Sequence, residues 1–111
     1  DPAHPDHEVS VELEGLLSSA RDARGERLEV VRVPAPRTLE DEDGIVDWSY
    51  INHLVVNDGV VACTYDDPQD AASLAVLEKA YAGRQVVGVD ARPLFARGGG
   101  IHCITQQQPR V

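Results

Sequence analysis

The sequence predicts a mixed α+β (α/β mixed) fold, and three observations carry that expectation. Apolar residues recur at helical spacing in two stretches, from Val9 to Ala20 and from Leu74 to Tyr81. Short β-branched runs at 27–33, 51–57, 60–65 and 85–89 are bounded by Gly, Pro or Asp. Between two of those runs stands Asp58-Gly59, the strongest local hairpin signal in the chain. The resulting order is helix, strand, hairpin, helix, strand, strand, which suits helices laid on a sheet. At 111 residues the chain is one domain at most, with a modest core.

Taken in order, residues 1–6 (DPAHPD) are broken by proline, and the X-Pro steps hold helix off until Asp6, whose carboxylate is placed to cap a helix starting at the next residue. From His7, the apolar stripe of Val9, Leu13, Leu16, Leu17 and Ala20 runs to a stop at Gly25, with Arg21 and Arg24 in the last turn. Gly15 inside this helix costs about 1 kcal/mol relative to Ala. RLEVVRV at 27–33 lies between Gly25 and Pro34 and reads as a strand. Residues 37–48 are too acidic for a core and read as a surface loop. A type I′ turn with positive φ is expected at Asp58-Gly59. Asp67 is the expected N-cap of the second helix, Pro68 its first residue and Asp70 an acid in its first turn. Leu74, Leu77 and Tyr81 line its packed face, and Gly83 ends it. QVVGV at 85–89 has the composition of a buried strand, and residues 90–97 lead to a last strand bearing Cys103. The organisation is then helix and strand at 1–36, acidic loop at 37–48, and hairpin, helix and cysteine strand at 49–111.

A formal net charge of −9 argues against a nucleic-acid or anionic-membrane partner. No apolar run reaches the ~20 residues that span a bilayer, and no basic-then-apolar leader opens the chain. Cys63 and Cys103 read as free thiols in a reducing cytoplasm rather than as a disulfide.

The stretch GGGIHCITQQQP at 98–109 concentrates the chemistry. Three glycines permit close backbone approach, and the alternating run after them puts Ile101, Cys103 and Thr105 on one face. A Cys at the exit of a glycine loop is either a small buried hydrophobe or an exposed, oriented nucleophile, and the residue types alone leave both open.

Together with SYIN at 49–52, NDGVV at 57–61, DPQDAASLAVLEKAY at 67–81 and GRQVVGVDAR at 83–92, this block resembles the C-terminal part of the agmatine deiminase family, which includes the bacterial peptidyl-arginine deiminases. The likeness is strong over 49–109 and weak over 1–36. It implies a pentein-like αβ propeller of which this chain is the last part of the ring, and so a fragment of a longer enzyme. It implies hydrolysis of agmatine to N-carbamoylputrescine and ammonia on a route to putrescine, with deimination of peptidyl-arginine or another guanidine as the alternative. Cys103 is then the nucleophile that attacks the guanidine carbon, and no metal or cofactor is needed. Asn52 is expected to face the substrate, with a strand-entry Asn bonded to its own backbone as the equal alternative, and Gly99 and Gly100 are expected to bring the backbone close to the substrate or to a neighbouring strand. The implied partners are a small cationic guanidine, further copies of the chain or the missing N-terminal part.

The resemblance is incomplete in its machinery. The family's general acid is a His in a Gly-His pair, which this chain lacks, and Asp41, Asp43 and Asp47 stand in no matching motif. His102, adjacent to Cys103 on an expected strand, would point to the opposite face and so is a poor general acid. A non-catalytic remnant, or half of a split enzyme, is therefore the reading from another class. Gly98, Gly99 and Gly100 lack the Lys-Ser or Lys-Thr of a phosphate loop, and His4, His7 and His53 have no metal-ligand spacing. Cys63 reads as packing. Trp48 reads as an anchor for the acidic loop, with stacking on a cation as the lesser alternative.

Overall fold

The computed structural model describes residues 2–109. Two compact units divide the chain, Asp1–Arg32 and Val33–Val111. In the first, helix α1 (His7–Ser19) forms where the apolar stripe predicts it, yet none of its residues is buried. Asp6 occupies the N-cap position without a side-chain capping bond. The helix also ends six residues short of Gly25. The cause is local: Asp22 Oδ1 accepts the backbone N–H groups of Arg24 and Glu26, which competes with the helical ladder and closes a loop. An Arg21–Arg27 bridge and the guanidinium of Arg21 on the Gly25 carbonyl hold that loop shut.

The strand expected at 27–33 does not form. A β-branched run becomes a strand only where a neighbour completes its ladder, and apart from the single bridge at Arg27 no described residue pairs with it. In the acidic segment the expected loop contains a small exposed hairpin, β1 (Glu40–Asp41) with antiparallel β2 (Gly44–Ile45).

The second unit is built on β4 (Gly59–Thr64), which pairs antiparallel with β3 (Leu54–Val55) and parallel with β5 (Gln85–Asp90). Helix α2 (Asp70–Ala80) makes the crossover between β4 and β5. The hairpin is where the sequence places it, but its turn is shifted: Val56 N–H bonds the Gly59 carbonyl at 2.9 Å, so the loop is Asn57-Asp58, and neither residue takes a positive φ. Gly59 belongs instead to the ladder. A Cβ there would stand 3.1 Å from the Gln85 carbonyl, so the missing side chain lets β5 approach β4.

Asp67 marks the entry to α2, although the regular helix starts three residues later. Its carboxylate accepts from Gln69 N (2.8 Å), Thr38 N (2.9 Å), Thr38 Oγ1 (2.8 Å) and Arg37 N, and so ties the acidic segment to the helix entrance. Asp70 accepts from the Tyr65 amide and from the Tyr50 hydroxyl at 2.7 Å. Burial first, and then the bond to Asp70, hold the Tyr50 phenol far above its usual range.

The sheet is covered unequally. On the α2 face Val60, Ala62, Ser73 and Leu77 are buried, and Gly88 leaves the room into which Leu74 and Thr64 pack. The opposite face is covered by Tyr50, Tyr65, Phe95 and Ile101, which form one cluster with Cys63 and Ala91. β5 is an edge strand with Val87 and Val89 exposed, so its buried-type composition is not matched by burial here. Trp48 lies flat on Tyr65 at 4.9 Å, anchoring the end of the acidic segment. After β5, residues 92–95 form the short helix α3 (Arg92–Phe95), which seats Phe95 in the core. No helix among the described residues is long and apolar enough to cross a membrane.

The last expected strand is absent. His102–Ile104 is a 3₁₀ turn, closed by Thr105 N–H and Oγ1–H, both of which donate to the His102 carbonyl. With no strand, the alternation that would set Ile101, Cys103 and Thr105 on one face does not apply.

Candidate functional site

The site starts from Asn52. Its backbone is fixed twice: its N–H donates to the Ser49 carbonyl at 3.1 Å, and its own carbonyl accepts the buried Cys63 thiol at 2.9 Å. Next to it, His53 Nδ1 faces the Tyr50 carbonyl at 2.9 Å and Nε2 faces the Tyr81 hydroxyl at 3.0 Å. A carbonyl can only accept, so Nδ1 donates to Tyr50, while the Tyr81 hydroxyl, which can donate or accept, pairs with Nε2. His53 is thereby a strut for the loop that carries Asn52.

From this fixed base the Asn52 amide reaches the glycine-rich stretch, 50 residues further along the chain. Oδ1 accepts the His102 backbone N–H at 2.9 Å, and Nδ2 donates to Cys103 Sγ at 3.1 Å. A backbone N–H can only donate, so it determines which end of the amide meets it and turns the NH₂ toward the thiol. The glycines make the contact sterically feasible. A Cβ on Gly100 would fall 2.7 Å from Asn52 Cγ and 2.6 Å from Phe95 Cε2, and one on Gly99 would fall 3.0 Å from Cys103 Sγ. Asn52 and Gly99 line the cleft beside Cys103, and with Gly100 they also hold and accommodate that residue.

Cys103 is exposed, whereas Cys63 is buried, and both are free thiols. The amide of Asn52 first, then the backbone of Gly100, lower the Cys103 thiol below its ordinary pKa, and they outweigh partial desolvation and the opposing charge of Asp47. A donor aimed at sulfur favours the charged form, and that form is the nucleophile. The thiol opens onto a cleft of about 390 Å³ whose wall includes Asp47, Ser49, Asn52, Gly99, His102 and Cys103.

Two sequence expectations change here. His102 lines the same cleft as Cys103, because a 3₁₀ turn does not send neighbours to opposite faces, and so the ground for setting it aside disappears. Asp47, which matches no motif, also stands at the cleft. Its signal was position: it lies five residues before Asn52, just ahead of the SYIN block. Among the described residues no three His, Cys, Asp or Glu side chains converge as metal ligands.

An exposed thiol with a lowered pKa, bonded by a fixed amide at the mouth of a cleft on an αβ unit, is an arrangement compatible with the class of cysteine-dependent enzymes. Similarity to known proteins narrows that class to one family. Residues 1–109 match the Porphyromonas-type peptidyl-arginine deiminases, and the chain belongs to that family. It is 56% identical over 110 residues to a Streptomyces avermitilis protein provisionally named an agmatine deiminase, covering 99% of this chain and 32% of that one. The agmatine deiminase of Pseudomonas aeruginosa is 39% identical, over 85% of this chain and 30% of its own length. Among solved structures, the agmatine deiminase of Enterococcus faecalis superposes with a TM-score of 0.90 at 29% identity, over 99% of this chain and 35% of that one. The chain thus spans about a third of the length of the relatives it matches.

Proposed function

We propose that this chain is the nucleophile-bearing part of a guanidine deiminase, with agmatine as substrate and N-carbamoylputrescine and ammonia as products. The observation that carries the reading is the Asn52 amide on the Cys103 thiol, which joins the SYIN and GGGIHC blocks into one site. Membership of a deiminase family and likeness to proteins named agmatine deiminase support it.

In this mechanism the Cys103 thiolate attacks the guanidinium carbon, forming a C–S bond. The C–N bond to one amino group then breaks, and the nitrogen leaves as ammonia after gaining a proton. Water adds to the resulting S-alkylthiouronium carbon, the C–S bond breaks, and a urea product departs with the thiolate restored. Asn52 stabilises sulfur as the charged nucleophile and again as the leaving group. The general acid and a full guanidinium clamp come from elsewhere in the assembled protein, since the chain has no Gly-His pair. The same reading takes the fold as one part of a pentein ring in a cytoplasmic enzyme.

The family's name favours a second substrate, arginine within a peptide. Ammonia release by the complete enzyme, from agmatine and from an arginine peptide in parallel, separates the two. Faster turnover of agmatine, abolished by Cys103→Ser, is expected. Turnover that survives Cys103→Ser overturns the assignment of the nucleophile, and preference for the peptide overturns the substrate.

A further inference from the structure

Among the described residues, Asp47 is the one carboxylate that lines the cleft of Cys103. Asp67 is bound by backbone and hydroxyl donors, Asp70 by Tyr50 and Tyr65, and Asp90 by Arg92. No hydrogen bond or ion pair engages the Asp47 side chain among the described residues, though its backbone neighbourhood is held. Val46 N–H bonds the Leu39 carbonyl at 3.0 Å, Trp48 is stacked on Tyr65, and Ser49 N–H bonds the Tyr65 hydroxyl at 3.0 Å. The chain thus holds the Asp47 backbone on both sides and leaves its exposed side chain, with no protein partner among the described residues, on the wall of the cleft that contains Cys103.

We propose that Asp47 is a specificity-determining residue that receives a positively charged group of the substrate and so admits cations to Cys103. The inference rests on the deiminase reading and extends it to a residue outside the recognised motifs. In the empty cleft a carboxylate opposes a nearby thiolate, and a bound cation compensates both charges. Besides Asp47 and Cys103, His102 is the remaining ionisable side chain on the cleft wall. Anionic and neutral analogues gain nothing from Asp47, so the residue discriminates by charge.

The test uses the complete enzyme with Asp47→Asn and Asp47→Glu. For agmatine, Asp47→Asn is expected to raise KM about tenfold or more with a smaller change in kcat, and Asp47→Glu to recover part of the loss. Without substrate, alkylation of Cys103 by neutral iodoacetamide, located by peptide mapping, is expected to be several-fold faster in Asp47→Asn. General damage to the site would slow it. An unchanged KM and alkylation rate overturn the role of Asp47 while leaving Cys103 as nucleophile. Equal losses in both variants with slower alkylation also overturn it. A wild-type Cys103 no more reactive than a free thiol, with Cys103→Ser still active, overturns instead the reading on which the inference stands.

Discussion

Asn52 links two blocks of sequence that neither periodicity nor composition connects, and its effect on Cys103 has a definite sign. Removing the Nδ2 donor destabilises the thiolate, so Asn52→Ala raises the thiol pKa and moves the pH profile of iodoacetamide alkylation to higher pH. An unmoved profile would show that the amide does not tune the sulfur. The glycines make a second, steric prediction. Gly100→Ala puts a methyl within 2.6–2.8 Å of Phe95 and Asn52, which overpacks the site at a cost of about 1–3 kcal/mol and dislodges the amide. Both a lower urea midpoint and slower alkylation of Cys103 are therefore expected of that variant. Neither block by itself shows this dependence, because the room one glycine leaves is occupied by a side chain remote in sequence.

The central β4–α2–β5 element follows from its sequence more directly than the cysteine turn does. The β-branched runs, the Asp-Pro entry and the Gly83 stop all locate it to within a few residues. Its tightest point is Gly88, where a Cβ would lie 2.7 Å from Thr64 Cγ2 and 3.1 Å from Leu74 Cδ2. Gly88→Ala should destabilise by about 1–3 kcal/mol, seen as a reduced unfolding midpoint at unchanged slope. Gly15 in α1 is the contrast: nothing lies within 4 Å of its absent Cβ, and Gly15→Ala should add about 0.5–1 kcal/mol of helix stability. Asp67 makes the pH-dependent case. Burial pushes its carboxyl up, but the donors from Gln69, Thr38 and Arg37 together outweigh that and leave its pKa below the ordinary value of 3.8. A folded pKa below the unfolded one contributes stability above about pH 4, which is lost as pH falls through the folded value. Asp67→Asn should therefore lower the urea midpoint at pH 7 and differ less from wild type at pH 3. An equal gap at both values would refute the linkage.

Across the whole molecule, apolar surface is left uncovered in both units. Val9, Leu13 and Leu16 are each more than half exposed on α1, and Val87 and Val89 stand open along the β5 edge. Such faces associate, and an edge strand offers unpaired backbone groups to another chain. The 111-residue chain by itself is expected to self-associate, with scattering mass that grows with concentration and falls in Leu16→Glu. A sharp monomer with one cooperative melting transition would rule this out.

The sequence by itself determined the mixed helix-and-sheet class, the places of α1, the hairpin, α2 and β5, and, through a long ordered motif, the family and the thiol that stands out. Those features are local or carried by continuous strings, so spacing and composition suffice to read them. Only the tertiary structure decided that residues 27–33 leave the ladder empty, that the hairpin turns at Asn57-Asp58, that Cys103 sits on a 3₁₀ turn, and that Asp47 and His102 share its cleft. Each depends on a partner distant in sequence: a neighbouring strand that is or is not there, the Gln85 carbonyl against Gly59, the Asn52 amide against His102 and Cys103. Periodicity describes which face a residue shows, and the choice of what meets that face belongs to packing.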